Sequence, residues 1–488
     1  MQRYDAIIIG TGQAGPALAV RLAETGKRVA LIERGAFGGT CVNTGCTPTK
    51  TMVASAHAAH LARRAADYGV VLQGPVGVDM RRVKARKDAV VAQSSEGLEA
   101  WLRGTAGLDL IQGHARFTAA DTVVVGERQL TAPWIMLNVG GRPAVPAIPG
   151  LDAVPYLTSS SILDLDTLPE HLLVLGGSYV GLEFAQMFRR FGARVTVVEA
   201  GPRLVQREDP EISAAIADFL AAEGVEIVVG AGDLSVAATP DGLRLRHGPG
   251  AVEATHLLVA VGRRPNTDDL GLDRAGVALD RRGYVTVDDA LRTNVPGIWA
   301  LGDCNGRGAF THTAYDDYEI LAANLLDGAG RSLRDRVMAY ALFTEPPLGR
   351  VGMTEAEARA SSRKVLVGQR PMTRVARARE KGETAGLMKI IVDGDTEEIL
   401  GAAILGPGGD EAIHTVIGLM NARAPYGVLR RMMPIHPTVA ELLPTLLADL
   451  PAPSRRADTA LDETIEESFP ASDPPSHTPE SRIGRPSR

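Results

Sequence analysis

The sequence predicts an α/β protein that carries the same strand, glycine turn, helix and strand unit twice, and three observations lead there. The first is "YDAIIIGTGQAGPALAVRLAETGKRVALIE", an apolar run followed by spaced glycines, a helical stretch and a second apolar run ending on an acid. The second is "HLLVLGGSYVGLEFAQMFRRFGARVTVVE", which repeats the pattern: Gly10 to Glu33 spans 23 positions, and so does Gly176 to Glu199. The third is size, since 488 residues exceed one compact core, while 45% hydrophobic and 23% charged residues make an ordinary globular balance. Two or three domains follow.

In the first unit the apolar run suits a buried parallel strand. Gly10 permits the tight turn, Gly12 lets a pyrophosphate approach the backbone, and Gly15 lets the helix lie close to the strand. Pro16 falls in the first helical turn, where its missing N–H is harmless. Glu33, at the end of "RVALIE", is placed to accept hydrogen bonds from an adenosine ribose. In the second unit Gly176, Ser178 and Gly181 occupy the three glycine slots and Glu199 the acid position. Ser178 is a departure that a small side chain tolerates. Two such Rossmann-like dinucleotide-binding domains imply two dinucleotides, most simply a flavin and a nicotinamide.

After the first unit comes "GGTCVNTGCTPTK", residues 38–50, with two of the three cysteines, Cys41 and Cys46. Three cysteines in so long a chain make no secreted disulfide framework, and a close pair in a reducing compartment points to redox or metal chemistry. A structural metal needs more ligands than two thiols offer. Gly45 and Pro48 argue against one regular helix through both cysteines, so the sulfurs can approach each other. The formal net charge of −6 and pI near 6.0 give no basic field for nucleic acid. The N-terminal apolar run is too short and glycine-rich for a signal peptide or a membrane span, which places the protein in the cytoplasm. Residues 451–488, rich in Pro, Ser and charge, are expected to be disordered.

Over roughly residues 4–450 the chain resembles the class I pyridine nucleotide-disulfide oxidoreductases, which include lipoamide dehydrogenase, glutathione reductase and mercuric reductase. The likeness rests on "GGTCVNTGCTPTK", "NVGGRPAVPAIPG", "AVGRRPNT", "NVPGIWALGDC" and "HPTVAE", in that order. It implies FAD and NAD(P)H as cofactors, with the hydride's electrons passing through the flavin to a disulfide. It implies an FAD-binding domain over 1–145 and 265–335, an NAD(P)-binding domain over 146–264 and a C-terminal α+β dimerisation domain over 336–450. By resemblance Cys46 is the thiolate nearest the flavin and Cys41 the outer thiol that attacks substrate. Lys50 pairs with Glu183 near the flavin. Gly10, Gly12, Gly15, Glu33, Gly39, Thr40, Lys50, Gly141 and Asp303 contact FAD, while Gly176, Ser178, Gly181, Glu199 and Gly262 contact NAD(P). His436, oriented by Glu441, is the acid–base group that the partner subunit supplies. The protein is thereby expected to be a homodimer with a shared active site, and Cys304 a buried bystander.

The "TPTK" ending is nearest to mercuric reductases, yet the extra metal-collecting cysteines of that group are absent from this sequence. "FTHTAYDDYEI" and "PPLGRVGMTEAEAR" look closer to bacterial mercuric-reductase-like flavoproteins implicated in resistance to reactive chlorine species and hypothiocyanous acid. A small oxidant or disulfide, of the hypothiocyanous-acid type, is the favoured substrate. Dihydrolipoamide dehydrogenase or mercuric reductase is the alternative among enzymes, and a non-catalytic flavin-binding redox sensor the alternative of another class. The acid at Glu199 favours NADH over NADPH, while Arg203 and Arg207 in the following loop pull the other way.

Overall fold

A computed structural model describes residues 1–448 and 450, so the predicted disordered tail over 451–488 lies outside the described residues. The first glycine unit builds a five-stranded parallel sheet in the order Ile298–Ala300, Trp134–Leu137, Ala6–Ile9, Val29–Glu33, Leu108–Gln112. Ile7, Ile8 and residues 29–32 carry apolar side chains on both faces because both are covered: the helices Ala14–Glu24 and Thr311–Ala322 pack on one, and Phe117, Val123 and Leu130 of a small separate sheet pack on the other. The second unit builds another parallel sheet in the order Leu157–Thr158, His256–Val259, His171–Leu175, Arg194–Val198, Val225–Val228. In each sheet the first strand of the unit lies between the next strand in sequence and a much later one. Strand order therefore reverses at the glycine turns, which is where such sheets open a crevice.

Sterics explain the glycines. Gly10 has φ 106°, and a Cβ there would stand 2.2 Å from Asn138 O; one at Gly15 would stand 2.2 Å from Gly10 O. The second turn repeats this: Gly176 has φ 112° with Ala260 O at 2.5 Å from its Cβ position, and Gly181 meets Gly176 O at 2.1 Å. Ser178 instead has φ −107° and ψ −175°, extended backbone open to any residue. That is why the middle slot tolerates a side chain.

Two short strands, Gly141–Pro143 and Arg263–Pro265, pair antiparallel where the chain enters and leaves the second unit. The C-terminal part is a five-stranded antiparallel sheet in the order Ala339–Leu342, Leu348–Gly352, Ile399–Leu405, Leu387–Asp393, Val365–Pro371, with the helix Gly409–Asn421 against it. A buried charge network ties this sheet to the second unit. Arg350 and Lys389 are each 1% exposed, and they meet Asp209 at 2.9 Å, Glu355 at 2.7 Å and Glu211. Charges so far from water persist only when paired, so the network fixes how the two parts dock. Among the described residues no helix is long and apolar enough to cross a membrane.

Candidate active site

A cavity of about 1060 Å³ runs from the first glycine turn to the cysteine pair. Its walls include Gly10, Gly12, Glu33, Gly39, Thr40, Cys41, Cys46, Lys50, Glu183, Asp303 and Thr311. Cys41 lies in the short helix Gly39–Thr44 and Cys46 opens the helix Cys46–Arg63. Gly45 alone breaks the path between them, at φ −134° and ψ −116°, and a Cβ there would come 2.8 Å from Thr40 O. Pro48 interrupts nothing; it sits in the first turn of the second helix, where it needs no amide partner. The break folds the two thiols toward each other, and both are free in the structure.

The electrostatics of the pair are asymmetric. The hydrogen bond from Cys41 holds the Cys46 thiol down at about 6; the Thr311 hydroxyl and the Lys50 charge act in the same direction, against burial. Cys41 is pushed up, because it is left as the protonated donor to Cys46 and is half-buried. Thr311 Oγ1 stands 3.2 Å from each sulfur. One turn beyond Cys46, Lys50 Nζ lies 2.5 Å from Glu183 Oε2, and Glu183 Oε1 accepts the Phe343 amide at 3.0 Å. The ammonium also rests 4.5 Å from the centre of the Phe343 ring.

Glu33 and Glu199 stand in matching positions. Glu33 accepts the amides of Thr11 at 2.9 Å and Gly35 at 2.8 Å; Glu199 accepts those of Gly177 and Gly201, both at 2.7 Å. Each carboxylate thus braces its own glycine turn. Gly39, at φ 60°, brings bare backbone against Gly12, since a Cβ on it would stand 2.9 Å from Gly12 Cα. Gly141 belongs to the short crossing strands, where its Cβ would meet Arg264 O at 2.9 Å, and Gly262, φ 134°, accepts the Ala144 amide at 2.9 Å beside them. Asp303 is half-buried against the cavity, and desolvation raises its carboxyl, with Arg263 Nε at 3.5 Å opposing. Cys304 Sγ donates to Leu301 O at 3.3 Å, away from the cavity, and burial pushes its thiol up to about 12.

His436 Nδ1 lies 2.8 Å from Glu441 Oε2, so the dyad forms. It does not meet the cysteines within one chain: the His436 side chain is 76% exposed and lines no part of the cavity. Residues that the motifs did not mark also converge here. Tyr179 and Tyr340 both donate to Glu208 Oε1, at 2.8 and 2.7 Å, and Tyr340 stacks on Phe310 beside Thr311. Thr311 was within reach of sequence reasoning, inside the quoted stretch "FTHTAYDDYEI"; the Glu208 clamp joins distant segments and left no local signal.

Two glycine-turn sheets, the first turn and the helix after the second lining one cavity with a dithiol, define a dinucleotide-dependent thiol redox enzyme. The chain belongs to the pyridine nucleotide-disulphide oxidoreductase family: the family model of that description matches residues 4–317, and the family's dimerisation domain matches residues 338–447. It is accordingly an FAD-dependent, NAD(P)H-linked oxidoreductase. It is 38% identical over 458 residues to the probable pyridine nucleotide-disulfide oxidoreductase RclA of Escherichia coli, covering 92% of this chain and 99% of that one. It is 36% identical over 455 residues to a mercuric reductase of Streptomyces lividans, covering 90% and 94%. Among solved structures, the HOCl-induced flavoprotein disulfide reductase RclA from Escherichia coli matches with TM-score 0.84 and 37% identity over 92% of this chain and 100% of that one. Its copper(II) complex matches with TM-score 0.85.

Proposed function

We propose that the protein is a flavoprotein disulfide reductase that uses NADH to reduce a small oxidant or disulfide of the hypothiocyanous-acid type through Cys41 and Cys46. The observation that carries the reading is the meeting of the dithiol, the Lys50–Glu183 pair and the first glycine turn in one cavity. Bound FAD supplies two-electron transfer between a nicotinamide and a disulfide. Gly10, Gly12, Gly15 and Gly39 keep the backbone bare where the flavin's pyrophosphate needs it, with Glu33 on the adenosine side, Thr40 and Gly141 alongside and Asp303 at the ribityl chain. Gly176, Ser178, Gly181, Glu199 and Gly262 do the same for the nicotinamide dinucleotide. Lys50 holds positive charge beside the inner thiol, and Glu183 fixes its direction. Cys46 is the inner thiolate; Cys41 is the outer thiol that attacks the oxidant.

In this reading the FAD-binding domain comprises 1–145 and 265–335, the nicotinamide domain 146–264 and the dimerisation domain 336–450. His436, exposed and aimed by Glu441, serves the cysteines of a second copy across the dimer, in the cytoplasm. NADH is the preferred donor. Glu199 places a carboxylate where a 2′-phosphate would sit, and Arg203 is already spent on the carbonyls of Gln206 and Glu208, at 2.9 and 3.1 Å. The induction of the Escherichia coli relative by hypochlorous acid favours a halogen-derived oxidant over lipoamide or mercury. The test is NADH oxidation by the purified protein against hypothiocyanous acid, Hg(II), lipoamide, oxidised glutathione and quinones. The reading requires kcat/KM to be highest for hypothiocyanous acid; a higher value for lipoamide or Hg(II) contradicts it.

A further inference from the structure

Thr311 is the first residue of the helix Thr311–Ala322, and that helix start is fixed independently of the cysteines. Phe310, just before it, accepts the Ala314 amide at 3.0 Å through its carbonyl, and its own amide donates to Thr313 Oγ1 at 3.1 Å. Its ring stacks on Tyr340 at 5.5 Å between centres. The hydroxyl so placed is 3.2 Å from Cys41 Sγ and 3.2 Å from Cys46 Sγ, inside the cavity. Equal distance matters because a hydroxyl has one proton to donate. It serves one sulfur at a time, and rotation about Cβ–Oγ suffices to change which.

We propose that Thr311 is a catalytic residue whose hydroxyl is a shared hydrogen-bond donor that follows the negative charge between the Cys46 and Cys41 sulfurs. The inference rests on the redox-pair reading above. After two-electron reduction of the Cys41–Cys46 disulfide with uptake of one proton, one sulfur is a thiol and the other a thiolate. While the charge is on Cys46, the Thr311 O–H donates there. When the Cys41 proton passes to Cys46 and the Cys41 thiolate attacks the electrophilic sulfur of a hypothiocyanous-acid-type oxidant, a Cys41–S bond forms, the oxidant's S–O bond breaks, and the oxygen leaves as water with the proton that Cys46 gives up. Thr311 then donates to Cys41. Cys46, again a thiolate, next attacks the Cys41 sulfur, the transferred group leaves as thiocyanate and the disulfide is restored, so two electrons leave the protein per oxidant. The charged and titratable groups that face the pair are the second sulfur of the pair and Lys50, with Glu183 behind Lys50. Thr311 is thus the neutral donor common to both sulfurs.

The experiment compares Thr311→Val, close in shape but without the donor, with Thr311→Ser, which keeps it, in FAD-loaded protein reduced anaerobically. Two readouts are taken: the pH dependence of iodoacetamide alkylation at Cys41 and Cys46, resolved by mass spectrometry, and the rate of reoxidation by hypothiocyanous acid. Loss of a charge-assisted hydrogen bond should raise the Cys46 midpoint by about one pH unit and slow reoxidation about tenfold in Thr311→Val. Thr311→Ser should stay within about twofold of the unsubstituted protein, the factor a retained donor allows. Thr311→Ala serves as a second donor-less variant if valine weakens flavin binding. A donor-less variant that titrates and reoxidises like the parent overturns the assignment. A parent in which alkylating Cys41 leaves turnover intact overturns the redox-pair reading itself, and the two failures are told apart by which protein misbehaves.

Discussion

Lys50 reaches Glu183 from one parallel-sheet unit to the other: the ammonium comes from the helix that opens at Cys46, the carboxylate from the helix that follows Ser178. The carboxylate is nearly buried and its second oxygen is taken by the Phe343 amide, so it has no freedom to turn away. Lys50 is about one-third exposed, and water screens part of the attraction. Removing Lys50 leaves the Glu183 carboxylate buried and unpaired, whereas removing the Glu183 charge leaves a partly exposed Lys50 without its counterion. Lys50→Met and Glu183→Gln should each cost about 1–3 kcal/mol of stability, seen as a lower Tm, and slow NADH-driven flavin reduction at least about tenfold. An unchanged reduction rate in both variants would remove the pair from the mechanism.

The Cys46 thiol is held down at about 6, first by the Cys41 hydrogen bond and then by Thr311 and Lys50. For a lowered value the charged form is present above it and lost as pH falls through it. In reduced protein the fast-alkylating thiol should therefore be Cys46, with its rate rising through a midpoint near pH 6, and Cys41→Ala should move that midpoint upward by removing the largest cause. A midpoint near the ordinary thiol value in the reduced parent would contradict this.

In the proposed reading Glu199 sets the nicotinamide preference. Its oxygens accept the Gly177 and Gly201 amides, and Gln206 Nε2 donates to it at 3.0 Å, so the carboxylate is held at the end of its strand beside the second glycine turn. The parent should show higher kcat/KM with NADH than with NADPH, and Glu199→Ala should shift the ratio toward NADPH by about tenfold or more. Parent preference for NADPH, or an unmoved ratio, would count against the assignment.

His436 is exposed, lies outside the cavity that holds the cysteines of its own chain and is paired with Glu441, so catalysis by it needs a second copy. Cys41→Ser and His436→Ala proteins should each be nearly inactive, and mixtures under proven subunit exchange should regain part of the parent activity. Mixtures that exchange yet stay inactive would show that the site is not shared.

Much of this was legible from local chemistry. Gly10, Gly15, Gly176 and Gly181 announce themselves because no side chain fits beside the backbone they touch, and Glu33 and Glu199 follow at a fixed interval. Ser178 read as an anomaly and proved to be extended backbone. Pro48 read as a helix breaker and proved to be a helix-start residue, since composition does not reveal where a turn begins. What stayed hidden is what long-range packing creates. Arg350 and Lys389 look like ordinary strand residues facing solvent, yet they are buried against Asp209 and Glu211 from a part of the chain some 140 residues or more earlier. Glu208 joins Tyr179 to Tyr340 in the same way.

The central claim is that Cys41 and Cys46 form the redox pair, and anaerobic titration with NADH tests it most directly. Reduction should release two thiols per chain and produce a long-wavelength thiolate-to-flavin absorbance band. Cys46→Ser should lose the band, while Cys41→Ser should keep it and lose turnover. Flavin reduction without new thiols, or full turnover in both variants, would contradict the account.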